Sequence, residues 1–126
     1  METREIPRDQ WVAFFNDFSR RHEDQPITVG LVGADIGAQV QISQQPLIGI
    51  SASLEDGEDT IEVSVGDAPE THMMHTITTP SHVWIKQTDE GTDDAIEILS
   101  ESGPKTLIVL RPTKAEGRLD TYSEAF

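Results

Sequence analysis

Residues 6–31 read IPRDQWVAFFNDFSRRHEDQPITVGL, and a change of rhythm inside that stretch decides the fold. Up to His22 the apolar residues keep helical spacing. Trp11, Phe14, Phe15, Phe18 and His22 fall at i, i+3, i+4, i+7 and i+11, which is one face of an amphipathic helix over approximately 8–22. Pro7 suits the first turn, where a missing N–H costs little. Asp9 near the start and Arg20 and Arg21 near the end complement the helix dipole. After Gln25-Pro26 the period drops to two, with Ile27, Val29 and Leu31 alternating with Thr28 and Gly30. That is a strand with one face turned inward. In so small a chain the aromatic helix face is expected to cover the protein's own sheet, not a partner.

The same two-residue period recurs along the rest of the chain. Ile48, Ile50, Ala52 and Leu54 share a face; Ile61, Val63 and Val65 alternate with Glu62 and Ser64; Val83 and Ile85 flank Trp84; Ile96 and Ile98 flank Glu97. Residues 107–110, LIVL, are apolar on both faces and belong in the middle of the sheet. Turn-rich pieces separate the runs, among them GADIGA at 33–38, EDGED at 55–59, TPS at 79–81 and ESGP at 101–104. Connections this short imply antiparallel pairing, because a parallel crossover needs a dozen residues or more. The predicted fold is α+β: one N-terminal amphipathic helix packed on an antiparallel meander of about six or seven strands, a curved sheet or partly closed barrel. Residues 1–112 are read as a single domain and 113–126 as a mobile C-terminal tail.

Composition excludes more than it assigns. The 126 residues contain no cysteine, which removes disulfides, thiolate zinc sites and cysteine nucleophiles. No apolar segment approaches the length that spans a bilayer. METREIPRDQ has no apolar run of the kind a secretory leader carries, so a soluble, cytoplasmic protein is expected. Asp and Glu number 23 against 9 Lys and Arg, for a formal charge of −14. That balance argues against direct binding to nucleic acid, which needs cationic neutralisation of phosphates, and against anionic membranes. It fits adaptation to a salt-rich cytoplasm, an acidic surface that serves solubility, or mimicry of nucleic acid towards a basic partner.

Three longer pieces carry a resemblance. TREIPRDQWVAFFNDFSRRH, ITVGLVGADIGAQ and PLIGISASLEDGEDTIEVSVG together resemble a family of small bacterial proteins known as a domain of unknown function. The resemblance covers most of residues 3–111. It implies a single bacterial domain and carries no activity, cofactor or catalytic residue with it.

Residues 71–82, THMMHTITTPSH, hold three of the four histidines and are the metal candidates: His72, His75 and His82. A metal ion needs ligands converging within about 2 Å. On a strand over 72–78, His72 and His75 point to opposite faces. If Pro80-Ser81 turns a hairpin, His75 and His82 share a face but stand about 13 Å apart. A helical turn capped by Asp67-Ala-Pro-Glu70 would instead bring His72 and His75 to one side. The histidines are expected to be half-exposed hairpin positions, with Met73 and Met74 as core filling.

Other motifs are weaker. Asp56, Glu58 and Asp59, and Asp89, Glu90, Asp93 and Asp94, offer hard oxygens without the EF-hand spacing. GLVGADIG at 30–37 matches neither GxGxxG nor the P-loop, and its glycines read as turn and bulge positions. Ser51 in GISAS departs from GxSxG and lies in a continuous strand, the wrong context for a nucleophile elbow. No constellation of nucleophile, base and oxyanion donors emerges. The sequence therefore points to a small acidic non-catalytic binding or interaction domain, halophilic, with no cofactor and with an unidentified protein or small ligand as partner. The alternative is a metal sensor or metal-assisted enzyme built on the 71–82 histidines.

Overall fold

A computed structural model describes residues 2–34, 36–55, 58–101 and 103–110. The tail expected over 113–126 lies outside the described residues. Among the described residues, eight strands accompany one α-helix: β1 (Glu2–Ile6), α1 (Trp11–Arg21), β2 (Pro26–Gly33), β3 (Gly37–Ser53), β4 (Thr60–Val65), β5 (Met73–Thr78), β6 (Pro80–Gln87), β7 (Asp93–Ser100) and β8 (Lys105–Val109). They form one antiparallel sheet in the order β1-β6-β7-β8-β2-β3-β4-β5, which does not close.

The helix begins later than its periodicity suggests, because Arg8–Gln10 forms a 3-10 turn ahead of it. Trp11, Phe15 and Phe18 are buried, and Phe14 packs against the same core half-buried, edge-on to Phe15 with centroids 5.1 Å apart. Trp11 keeps its indole N–H satisfied by donating to the Ile6 carbonyl at 2.8 Å. The aromatics meet Ile27, Val29, Leu47, Ile50, Ile61, Val63, Ile85, Ile96 and Ile108 in a single core. A smaller cluster of Ala95, Leu107 and Val109 lies apart from it, with Val32 and Val40 against it. The doubly apolar LIVL segment thus supplies both clusters, as its central place between β7 and β2 requires.

Two strands exceed the sequence reading. β1 pairs with β6 although ETREI carries charges at three of its five positions, since an edge strand exposes most of its side chains. β3 runs for 17 residues, and the face expected for Ile48, Ile50, Ala52 and Leu54 is broken by a register shift between Leu47 and Gly49, which buries Leu47 and Ile50 and leaves Ile48 50% exposed. Its first half pairs with β2 and its second half with β4, and the change occurs around Gln44, which has φ 50°. That bend is anchored by Thr28, whose buried hydroxyl accepts from Gln44 N–H at 3.2 Å and from the Gln44 side-chain amide at 2.8 Å.

The segment 71–82 is not a hairpin. β5 pairs with β4 at one end of the sheet, whereas β6 pairs with β1 and β7 near the other end. Thr79, at φ 45°, is the corner between them, held by its N–H to the Asp59 carbonyl and by its own carbonyl to the Glu101 N–H. The sheet curls far enough for β5 to face Leu31 of β2 and Thr106 of β8 across a shallow cleft.

Candidate functional site

The corner at Thr79 separates the three candidate histidines. His72 is exposed, just after a 3-10 turn at Pro69–Thr71. Asp67-Ala-Pro-Glu70 does start that turn, with the Thr71 hydroxyl 2.9 Å from the Asp67 carboxylate, but His72 is already extended and no helical i, i+3 pair with His75 forms. His75 stands half-buried on β5, and burial holds its imidazole below the ordinary histidine value. His82 is exposed on β6, with Nδ1 2.7 Å from a Glu5 carboxylate oxygen on β1. Among the described residues, no three His, Asp or Glu side chains are grouped so as to hold a metal ion. Met73 and Met74 are surface residues, 41% and 53% exposed, and do not fill the core. The reason is positional: they lie at the start of an edge strand.

The acidic clusters are also taken apart. Asp59 receives a bidentate Arg8 guanidinium, Nε and Nη2 each at 2.9 Å. Asp93 and Asp94 are buried, and Asp56 lies outside the described residues. Ser51 sits within β3 opposite Glu62, and Gly37, at φ 66°, closes the β2–β3 turn opposite Gly33. Neither has the setting of a nucleophile elbow or a phosphate loop.

The polar cluster that does assemble was missed by the sequence reading. Asp93, whose side chain is 3% exposed, opens β7 beneath the C-terminal end of α1. Its Oδ2 accepts from Arg21 Nη1 at 2.6 Å and lies 2.8 Å from His22 Nε2, while its Oδ1 accepts from the Gln87 amide at 2.8 Å. His22 Nδ1 is 2.6 Å from Gln25 Oε1, and the Gln25 amide donates to the Leu110 carbonyl at 3.3 Å. Burial pushes the Asp93 carboxyl up, but the hydrogen bonds from Gln87, His22 and Arg21 outweigh it and hold the carboxyl below its ordinary range. His22 also stacks on Phe18 with centroids 4.4 Å apart. A histidine beside an aspartate resembles half of a catalytic triad, yet no nucleophilic side chain joins this pair. Its bonds run instead to four separate pieces of chain, so it works as a clasp between helix and sheet. The signal in sequence was His22 at i+4 from Phe18, which places an imidazole on the inward face.

Chemistry also needs a concave site, and among the described residues a cleft of about 170 Å³ has polar walls, lined by Arg8, Asp59, Thr79, Pro80 and Glu101. A cleft of about 300 Å³ at the β2–β3 turn is lined by Gly33, Ala34, Ile36, Gly103 and Pro104, with no polar side chain among them. The cleft beside β5 holds about 180 Å³, below the roughly 300–1,000 Å³ typical of small-molecule sites.

Backbone chemistry is where the surface is unusual. A sheet edge presents alternating unpaired N–H and C=O groups, and among the described residues such edges run along β1, along β5 and along each half of β3, whose first half pairs with β2 alone. β1 carries charge at Glu2, Arg4 and Glu5. The second half of β3, on the side away from β4, is sealed by α1: the Ile50 N–H donates to the Ser19 hydroxyl at 2.8 Å, with the Ile50 carbonyl 3.0 Å from the same oxygen. Leu47 is closed in the same way by Asp24 and Gln25. β5 has no comparable cover. Its ladder with β4 continues into the bond from Thr79 N–H to the Asp59 carbonyl, so the odd-numbered residues point towards β4. Met74, Thr76 and Thr78 therefore aim their backbone groups the other way. The Thr78 carbonyl accepts from the Ser100 hydroxyl at 2.8 Å. Among the described residues, no strand pairs with β5 on that side.

Comparison with known proteins places this architecture in a group. Residues 2–118 match the family of unknown function DUF5335. The chain belongs to that family. An uncharacterized protein of Aquifex aeolicus (strain VF5) is 29% identical over 112 residues, covering 89% of this chain and 95% of that relative. No solved structure matches the chain. The family brings no assigned activity, and the bacterial relative agrees with the resemblance read from the sequence. No helix among the described residues is long and apolar enough to cross a membrane.

Proposed function

We propose that the chain is a non-catalytic interaction domain of a bacterial cytoplasm that takes another polypeptide along the open edge of β5. The observation that carries this reading is that, among the described residues, no strand pairs with Met74 and Thr76 on the side away from β4, along an edge that carries exposed Met73 and Met74. Main-chain groups of this kind gain most from an extended segment that adds itself as a further strand. The charge pattern supports the same face. Residues 71–88 carry no Asp or Glu in a chain of net charge −14, so a partner can approach β5 with little local repulsion. The polar side chains His22, Arg21 and Asp93 are engaged in the clasp, and Asp59 is engaged by Arg8.

The test is a photo-crosslinking amino acid at position 74, compared with one at position 3 on β1, in cells that express the protein at its native level. The reading expects polypeptide adducts from position 74 and few from position 3. Equal or absent adducts would overturn it.

A further inference from the structure

Resting on that reading of β5 as the contact edge, we propose that its occupant is the β5 of a second copy, paired antiparallel about a two-fold axis at His75. The argument begins with which groups are free. Because odd residues bond to β4, the groups that face outward are the N–H and C=O of Met74, Thr76 and Thr78, and Ser100 already engages the Thr78 carbonyl. An antiparallel two-fold centred on His75 sets Met74 opposite Thr76 of the second copy, and Thr76 opposite its Met74. Both free positions then exchange N–H and C=O completely, without drawing on Thr78. Centring the axis on Met74 or on Thr76 would leave one of them opposite residue 72 or opposite the engaged Thr78.

The same register satisfies the side chains. It places Met73, 41% exposed, directly across from Ile77 of the second copy, an apolar pair on the inward side of the strand. On the outward side, Met74, 53% exposed, meets a threonine. Cross-strand pairs of this type are the unit in which a sheet gains stability. Isologous contact of one patch with itself is also the commonest form of oligomer interface.

Charge distinguishes β5 from the open edge of β1, and its unbroken register and two exposed methionines distinguish it from the first half of β3, which is equally free of acid over 36–54. Two chains of net charge −14 repel, so self-association requires a stretch free of carboxylates. β5 lies wholly within the acid-free run 71–88, and the nearest acidic side chain in the ladder is Glu62, opposite Thr76 on β4. β1, by contrast, holds Glu2 and Glu5. Protective devices are also missing: within Met73–Thr78 there is no proline and no lysine, and its register with β4 is unbroken.

The experiment is sedimentation equilibrium of the full chain from micromolar to near-millimolar concentration, in low and in high potassium chloride. Wild type is expected to move from monomer to dimer, with tighter association at high salt. Met74→Lys adds a charge to the edge, and Thr76→Pro removes an outward N–H at a position where an edge strand tolerates proline. Each is expected to weaken the dimer at least tenfold while leaving the unfolding midpoint of the dilute protein near that of wild type. Thr3→Pro on β1 should leave association unchanged. A chain that stays monomeric throughout, or a dimer indifferent to both β5 variants, would overturn self-pairing. Should the monomer result coincide with crosslinks from position 74 to a different polypeptide, self-pairing falls and the edge reading stands; should both experiments fail, both fall.

Discussion

Ser19 and Ile50 are joined through one hydroxyl: the Ile50 N–H donates to Ser19 Oγ at 2.8 Å, and the Ile50 carbonyl lies 3.0 Å from that same oxygen. The Ser19 hydroxyl also donates to the Phe15 carbonyl at 2.7 Å, one turn back in the helix. A side chain on α1 thus takes the place that a neighbouring strand would have on β3. Together with the backbone bonds of Asp24 and Gln25 to Leu47, it turns the second half of β3 into a helix–sheet seam, a cover that β5 lacks among the described residues.

Ser19→Ala should therefore cost about 1–3 kcal/mol, the usual penalty for leaving a buried backbone group without its partner. Urea unfolding measures the loss, and amide exchange at Ile50 should accelerate relative to Val63 across the ladder. Unchanged stability with a still-protected Ile50 amide would mean that another group seals the edge.

Removing the Asp93 carboxylate should cost more. Asp93→Ala leaves Arg21 and His22 without a buried anion, a change that typically costs about 3–5 kcal/mol, with the half-exposed Arg21 keeping it towards the lower figure. The pH dependence follows in sign. The folded carboxyl lies below its unfolded value, so its contribution is complete above the ordinary aspartate range and is lost as pH falls through the folded value. Stability curves of wild type and Asp93→Ala should converge in acid; curves that stay parallel would remove Asp93 from the account.

A second carboxyl on the same strand should move the opposite way. Burial pushes Glu97 up, with the Lys105 ammonium 3.6 Å away only partly restoring it, and Glu97 Oε2 has no hydrogen-bond partner among the described residues. Carboxyl carbon NMR should show Asp93 titrating below, and Glu97 above, the ordinary range of their types. Glu97 at or below its ordinary value would show that Lys105 outweighs burial.

The parts of this fold legible in sequence are those where burial is one-sided. Trp11, Phe15 and Phe18 repeat with the helix, and Ile61, Val63 and Val65 repeat with the strand, because each set faces one core. β1 escaped because an edge strand with four of its five residues exposed leaves no alternation to read. The first half of β3 escaped for a similar reason, its side chains being mostly exposed glutamine, serine and alanine. The corner at Thr79 was hidden because TPS reads as a hairpin turn, and only long-range pairing to β4 and β7 shows that the strands diverge. The Asp93 clasp joins residues 71 and 72 positions apart, a distance that no local pattern encodes.

Charge makes a prediction about solvent. Within the acidic stretches Arg8 pairs with Asp59, Arg21 with Asp93 and Lys105 with Glu97. Those pairs reduce local repulsion and leave the net charge at −14. Raising potassium chloride shortens the Debye length from about 30 Å at 0.01 M to about 3 Å at 1 M, so the unfolding midpoint should rise over that range. A flat or falling midpoint would sink the salt-adapted reading.

The most direct test of the open edge is residue-resolved amide exchange along β5. His75 and Ile77, bonded to β4, should be protected in dilute protein, while Met74 and Thr76 exchange near the rate of unstructured chain. Protection at Met74 and Thr76 should then appear as a partner strand is supplied by raising concentration or adding a captured polypeptide. Met74 and Thr76 amides already protected in the dilute monomer would contradict the account, because the edge would be covered from within the chain.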